Sequence, residues 1–310
     1  MSLSPGINFF FGSNGSGKTS ILESVFIFSS GKSFKSSNLT SLINYDNDKF
    51  ILKGFDNKKG YIVEIEKSKN KTISISLNNN KTNTSKLVKE FPCTPIHNNT
   101  FSFADASPDF RRKLVDRSIF IAEDNFSKVW FSFYRSLRQR NFLLKNNRIS
   151  DIYNWNNKLA DEAEKLTKYR KDFFEKTLNE FYLLINLLKP EDVFDFFNFI
   201  KIEFSQGWAP EKSYLDVLNE NKDIDIKRRS TTSGPHKSDI KFFINDIDAR
   251  QILSRGEQKF FSIIWSCAQH EVLKKHYEID ATLLIDDIKS ELDERVFKLF
   301  SDLLLSLIHI

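Results

Sequence analysis

The sequence predicts an α/β domain interrupted by a helical insertion, and three observations carry that expectation. Near the start, Gly12-Ser13-Asn14-Gly15-Ser16-Gly17-Lys18-Thr19 matches the phosphate-loop pattern G-x-x-x-x-G-K-[ST] at every fixed position. Near the end, Ala281-Thr282-Leu283-Leu284-Ile285 is an aliphatic run leading into Asp286 and Asp287. Between them, residues 108–188 carry long helical periodicity, whereas both flanks read as short strands and single helices.

Ahead of the loop, Ile7-Asn8-Phe9-Phe10-Phe11 is β-prone, and after it Ile21, Leu22, Val25, Phe26 and Phe28 fall at helical spacing. Strand, loop and helix in that order are the context the motif requires. Backbone N–H groups of the loop then curl round a β-phosphate, and the helix N-terminus faces the anion. Lys18 reaches the β/γ oxygens, and the Thr19 hydroxyl holds Mg²⁺. Gly12, Ser13, Asn14, Gly15, Ser16, Gly17, Lys18 and Thr19 are the expected nucleotide-binding residues. The alternative is an ordinary glycine-rich turn, but with only 10 Gly in 310 residues a chance match is rare. The loop starts so close to Met1 that nothing is expected before it to supply neighbouring strands.

Runs over 50–55, 61–65 and 72–77 suggest an antiparallel meander, and 78–85 reads as a polar loop. Pro92-Cys93-Thr94-Pro95 breaks the pattern. Ser107-Pro108 signals a helix start, an N-cap followed by proline in the first turn. Helices are expected over 108–122, 124–146 and 151–188. In the last, Trp155, Leu159, Ala163 and Leu166, then Phe174, Leu178, Phe181, Ile185 and Leu188, fall at steps of three and four. Two such stripes read as a helical hairpin with bundle packing, ended by Pro190. Strands return at 200–204 and 240–244, around a polar segment holding Arg228-Arg229 and Gly234-Pro235-His236-Lys237-Ser238-Asp239. Leu253-Ser254-Arg255-Gly256-Glu257-Gln258 opens a helix that carries Phe260, Phe261, Ile263, Ile264 and Ala268. A last helix is expected over 294–307.

With 28% charged and 40% hydrophobic residues and a mean hydropathy of −0.40, no apolar run approaches the length that spans a bilayer. The N-terminus lacks a secretory pattern, and Cys93 and Cys267 lie too far apart in sequence to suggest a disulfide framework or a zinc cluster. A reducing cytoplasm is the simplest address. The net charge is +5, but from Arg111 to Ser150 ten Lys/Arg face three Asp/Glu, a local +7 that leaves the remainder at −2. A concentrated basic field suits a phosphate backbone, and a solvated helix face is the alternative.

An aliphatic strand ending in acid is the usual partner of a phosphate loop. Asp286 emerges beside the Mg²⁺ that Thr19 holds, and Asp287 is then placed to polarise an attacking water, with Lys18 at the phosphates. Two strand-end carboxylates facing water are the plainer reading. Ser254, Gly256 and Gln258 belong to a second anion site, a hydroxyl and a Gly N–H at a helix N-terminus. One chain does not need two γ-phosphate sites, so this one is expected to serve a nucleotide bound to another copy.

Taken together, the phosphate loop, Leu253-Ser254-Arg255-Gly256-Glu257-Gln258, and the strand to Asp287 followed by Ser290-Glu291-Leu292-Asp293 resemble the head domains of ABC-type ATPases. Within that group the chain is similar to the RecF family. The motifs that carry this likeness include Leu3-Ser4-Pro5-Gly6-Ile7-Asn8, Gly31-Lys32-Ser33-Phe34-Lys35-Ser36 and Arg111-Arg112-Lys113-Leu114-Val115-Asp116. Tyr134-Arg135-Ser136-Leu137-Arg138-Gln139-Arg140-Asn141 and Gly234-Pro235-His236-Lys237-Ser238-Asp239 complete them.

The resemblance implies a phosphate-loop sheet plus antiparallel β meander with an inserted helical lobe. The head would span residues 1–105 and 197–310, and the lobe 106–196. It further implies ATP and Mg²⁺ as cofactors, and an ATP-dependent homodimer with slow ATPase activity. Such a dimer would act on gapped or junction DNA in recombinational repair and replication-fork maintenance, with RecR- and RecO-type partners and no membrane. Arg111, Arg112, Arg135, Arg138, Arg140 and Lys145 are the candidate DNA phosphate contacts, with pairing to acids such as Asp116 as the alternative. His236 is expected either near the nucleotide or subunit interface, or in a structural role. The chain departs from the family pattern in lacking a strand before Leu3 and a switch-bearing strand after Ile310. It also carries Thr94 where a glutamine is expected. These departures suggest an abbreviated head, and a head that binds DNA or partners without turning ATP over is the competing reading. A transporter subunit or small-molecule kinase fits less well.

Overall fold

The computed structural model describes residues 1–36, 38–97, 103–189, 194–286 and 294–309. It contains two compact units, Met1–Thr100 with Ile279–Ile310, and Phe101–Glu278. In chain order the first unit holds α1 (Lys18–Ser30), β1 (Lys49–Asp56), β2 (Tyr61–Ser68), β3 (Ser74–Leu77), β4 (Asn80–Lys81), α2 (Thr84–Glu90) and β5 (Cys93–Ile96). The second holds α3 (Pro108–Ala122), α4 (Phe126–Lys145), α5 (Ile152–Leu188), β6 (Ile200–Ser205), α6 (Tyr214–Glu220), α7 (Lys222–Arg228), β7 (Asp239–Ile244), β8 (Ile247–Asp248), α8 (Ala249–Ile252) and α9 (Arg255–Tyr277). β9 (Thr282–Ile285) and α10 (Glu294–His309) return to the first unit.

In the first unit, β1 to β4 form the expected antiparallel meander, with Lys53 opposite Glu64 and Ile65 opposite Ile75. Alternation along β2 turns Val63 and Ile65 inward against Ile27, Ile75, Leu77 and Leu87. The stretch 78–85 is more ordered than a polar loop. Asn78 and Asn79 take φ 48° and 64° and make a two-residue turn from β3 into β4, a conformation asparagine tolerates well. Asn83 then caps α2 by accepting from the Lys86 N–H at 3.1 Å.

The parallel sheet consists, among the described residues, of β5 and β9, with Cys93 opposite Thr282 and Ile96 opposite Ile285. Phe26 of α1 packs on Cys93 and Leu284, with Leu22 and Val25 beside it, so α1 covers one face of the pair. The expected strand at 7–11 does not form. A β-prone run is a strand only when another strand takes up its N–H and C=O groups, and no described strand pairs with it. Ile7, Phe9 and Phe11 are left 46%, 80% and 93% exposed.

In the second unit α5 is one unbroken helix of 37 residues rather than a hairpin, and α4 and α9 pack along it. Nothing between Leu166 and Phe174 breaks a helix, and Arg170 and Phe173 within that stretch are buried. Its end at Pro190 lies outside the described residues; the last helical turn is closed by Lys189 in the left-handed region. Trp265 of α9 is ringed by Phe103, Phe174, Phe181, Phe242 and Phe261, which form the aromatic core. The polar segment between β6 and β7 folds into α6 and α7 and closes through Gly207 and Gly234. The Gly234 N–H donates to Gly207 O at 3.0 Å, and a Cβ on Gly207 would sit 2.2 Å from Gly234 O, so glycine is required there. No helix of the described residues is long and apolar enough to cross a membrane.

Charge also lies inside this unit. The Arg140 guanidinium is buried and donates to Asp225 Oδ2 at 2.7 Å, Thr231 Oγ1 at 2.7 Å and Asn156 Oδ1 at 2.9 Å. Arg140→Ala leaves the equally buried Asp225 without its counter-charge, which is expected to cost about 3 kcal/mol or more of stability. Arg138→Ala, on the exposed side of the same helix, should stay within about 0.5 kcal/mol of the parent. Urea midpoints of the two variants measure the contrast.

Candidate functional site

Residues 12–19 wrap the start of α1. Gly15 and Gly17 take φ 81° and 88°, the left-handed region that lets successive N–H groups converge. No side chain caps α1, so its first N–H groups are left for an anion. The Lys18 ammonium donates to Gly12 O at 2.8 Å and Ser13 O at 2.9 Å, folded over the loop that precedes it. One residue on, Thr19 Oγ1 donates to Asp286 Oδ1 at 3.1 Å. The Asp286 N–H is itself held by Ile96 O at 3.0 Å, which fixes the carboxylate at the end of β9. On the next turn of α1, Glu23 is buried and accepts from Ser33 Oγ, tying the Gly31-to-Ser36 motif back to the helix.

Loop and donors fit the two expected groups. The uncapped helix start and converging N–H groups suit a polyphosphate, and a hydroxyl beside a carboxylate is a hard-oxygen pair that suits Mg²⁺. Asp287 and the stretch 290–293 lie outside the described residues. Thr94 sits within β5, where Cys93 faces α1, so alternation turns Thr94 to the opposite face.

The stretch 253–258, expected to be a second anion loop, belongs to the second unit. Ser254 caps α9 through a reciprocal box: its Oγ accepts from the Glu257 N–H at 3.4 Å, and its own N–H donates to Glu257 Oε2 at 2.7 Å. Gln258 Nε2 donates to Leu253 O at 2.9 Å. Ser254 and Gly256 are exposed, and a Cβ on Gly256 would meet nothing within 4 Å.

The six basic candidates separate into two groups. Arg111 is buried and bidentate to Asp239 at 2.8 Å and 2.8 Å, and Arg112 donates to Ser238 O at 2.6 Å and pairs with Asp109. With Arg140 buried against Asp225, three of the six are internal struts whose donors are taken up by the protein. Arg135, Arg138 and Lys145 are exposed. They share one face of α4 with Lys128, Phe131 and Phe142, at steps of three and four from 128 to 145. Phe131 is 57% and Phe142 53% exposed, so two aromatic faces lie among four cations. The candidate list left out Lys128, although the charge count included it, and both phenylalanines; helical phase was the signal that separates this face from Arg140.

His236 is largely enclosed by the second unit. Its Nε2–H donates to Thr231 O at 3.0 Å, and Nδ1 is buried. Burial, with Lys237 and Arg112 nearby, pushes its pKa down to about 4 against the pull of the Thr231 carbonyl.

The profile of the RecF/RecN/SMC N-terminal domain family matches residues 1–308. The DNA replication and repair proteins RecF of Francisella tularensis subsp. holarctica (strain OSU18) and subsp. novicida (strain U112) are each 33% identical over 290 residues. That alignment covers 93% of this chain and 81% of each relative. The solved recombination mediator protein RecF-ATP in the RecFOR pathway superposes with a TM-score of 0.81 at 23% identity, over 99% of this chain and 84% of that one. The corresponding RecF-ATPrS structure gives 0.76 at 24%, over 93% and 82%. At these identities the two structures establish the fold.

A neutral buried histidine makes stability depend on pH. The unfolded chain takes up a proton near pH 6.5, the folded chain only near 4, so the contribution is full above 6.5 and declines as pH falls between them. From pH 6.5 to 5 the loss expected from this group is about 2 kcal/mol. Urea midpoints across that range should show it, and His236→Asn should flatten the profile.

Proposed function

The chain belongs to the RecF family, within the RecF/RecN/SMC N-terminal domain group, and on that premise we propose that it is an ATP-dependent DNA-binding protein of DNA replication and recombinational repair. The observation that carries the reading is the 3.1 Å hydrogen bond from Thr19 to Asp286, which unites the phosphate loop with the acidic strand end in one unit. The loop N–H groups bind the β-phosphate and orient the triphosphate, and Lys18 offsets charge on the β/γ oxygens. Thr19 and Asp286 would hold Mg²⁺, which when bound neutralises developing charge between those phosphates. Asp287 is the residue assigned to orient the attacking water in a slow hydrolysis.

Ser254, Gly256 and Gln258 serve a nucleotide held by a second copy, which makes the active form a homodimer. The exposure of Ser254 and Gly256 supports this role. The reading keeps 106–196 as a lobe inserted into a head of 1–105 and 197–310, a division that differs from the compact units, where 197–278 packs with 101–196; in it DNA lies along α4. Arg135, Arg138 and Lys145, joined by Lys128, contact phosphates, while Phe131 and Phe142 offer stacking faces to unpaired bases at a gap or junction. RecO- and RecR-type proteins are the expected partners, as the pathway named for the solved relative suggests. Cys93 and Cys267, both buried and not joined in a disulfide, suit a reducing cytoplasm.

Lys18→Ala should abolish ATP binding and ATP-dependent dimerisation, read by calorimetry and by sedimentation with and without nucleotide. Dimerisation unaffected by the substitution or by removing nucleotide would overturn the reading. Arg135→Ala with Arg138→Ala should weaken duplex binding and reduce the slope of log affinity against log salt by about 2. Arg112→Ala, whose guanidinium is engaged within the protein, should leave that slope unchanged.

A further inference from the structure

Arg228 and Arg229 take no part in the buried pairing of Arg140 with Asp225, although both follow Asp225 closely in the second unit. α7 carries Lys227 and Arg228 in its last turn, and Arg229 closes the helix in the left-handed region at φ 51°. All three are exposed, and their side chains make no hydrogen bond or ion pair among the described residues. Of the acids on this helix, Asp225 is buried against Arg140, and Asp223 lies one turn back with no ion pair to Lys227. Cations in a last turn favour the helix dipole, but Arg229 lies beyond that turn. Three successive exposed cations repel one another unless an anion lies among them.

Buried hydrogen bonds fix where this cluster stands. Past the turn at Arg229, Thr231 donates both its N–H and its Oγ1 to Asn141 Oδ1 of α4, at 2.8 Å and 2.8 Å, and Thr231 Oγ1 accepts from Arg140 at 2.7 Å. Arg229 is therefore within about 8 Å, Cα to Cα, of the residue locked to Asn141. On α4, Asn141 comes three residues after Arg138 and four before Lys145, so those two exposed cations are its neighbours on the helix surface. The Asn141–Thr231 tie is thus a seam, with Arg138 and Lys145 on one side and Lys227 to Arg229 on the other, within about 20 Å along the backbone path. Long side chains reaching in from both sides match the two phosphate backbones that border a major groove about 12 Å wide.

We propose that Lys227, Arg228 and Arg229 form a second phosphate rail, which engages one backbone of a DNA duplex while the other backbone lies along α4. The inference rests on the reading of α4 as a DNA-binding face. A single strand has one backbone and cannot occupy both rails at once. The aromatic faces are divided in the same way: Phe131 and Phe142 stand among the cations of α4, whereas residues 222–232 hold no aromatic ring. Stacking platforms suit unpaired bases, and bare cations suit the phosphates of paired ones. The unit therefore holds the double-stranded side of a junction with both rails and the unpaired side with α4 alone.

The test is fluorescence anisotropy of the full chain with ATP and Mg²⁺ on a labelled duplex and on a labelled single strand, over a range of salt. Lys227→Ala, Arg228→Ala and Arg229→Ala combined should weaken duplex binding by about tenfold or more and reduce the slope of log affinity against log salt by about 3, with single-strand binding unchanged. Arg228→Lys with Arg229→Lys keeps the charge and should keep the parent slope. The inference is overturned if the triple variant binds duplex as the parent does, if it loses duplex and single strand alike, or if the lysine variant loses the slope. A urea midpoint of the triple variant well below the parent's would mark the cluster as structural and overturn it too. A parent that binds no DNA would overturn the underlying reading together with this one. Duplex binding weakened by Arg135→Ala with Arg138→Ala but not by the triple variant would overturn this one alone.

Discussion

Arg170 is the tie on which the second unit depends. Its guanidinium is buried on α5 and bidentate to Asp116 of α3 at 2.8 Å and 2.8 Å, while Nη1 donates to Pro235 O at 2.6 Å and to Ser238 Oγ at 2.9 Å. One planar fork thus holds two helices and the segment leading into β7. Asp116 is further held by Trp130 Nε1 of α4 at 2.9 Å. Arg111 repeats the arrangement on Asp239, and Arg140 on Asp225. Buried ion pairs seldom add net stability over apolar packing, because desolvation offsets most of the attraction. Their effect here is geometric: long helices with apolar seams can slide by a turn, and a five-donor fork matched to fixed acceptors permits one alignment.

That alignment decides which arginines are left for solvent. Arg140 and Arg138 are two residues apart on α4, yet one is sealed in the unit and the other stands outside it. The basic character that drew attention to 111–150 therefore has two physical origins. Part of it organises the interior through Asp239 and Asp225, and part forms the outer stripe of α4. In the first unit a different constraint acts. β5 and β9 must run parallel and in register for Asp286 to meet Thr19, and α1 must cover one face of the pair for its N-terminus to reach that edge.

Much of this was legible in the sequence because its determinants are local. The phosphate loop, the strand to Asp286, the Ser107 cap and the helix start at Ser254 depend on residues within a few positions of one another. The meander and the starts of α3, α5 and α9 follow the same logic. What escaped depends on distant partners. The run 7–11 has strand composition, but pairing makes a strand, and composition does not supply the pair. Arg111 meets Asp239 across 128 residues, which no spacing rule reveals. The α5 stripes at 155–166 and 174–188 are joined at steps of four through Arg170, a buried cation that an apolar template reads as an interruption when the helix in fact runs through it.

The contacts of Lys18 bear on how tightly this loop can hold its ligand. Gly12 O and Ser13 O already occupy the ammonium at 2.8 Å and 2.9 Å, so they compete with phosphate oxygens for the same protons. Binding is then an exchange of acceptors, and affinity reflects the difference between two sets of hydrogen bonds instead of the full strength of either. In the proposed reading the same pair receives the lysine when phosphate departs, so the ammonium has acceptors with or without the ligand.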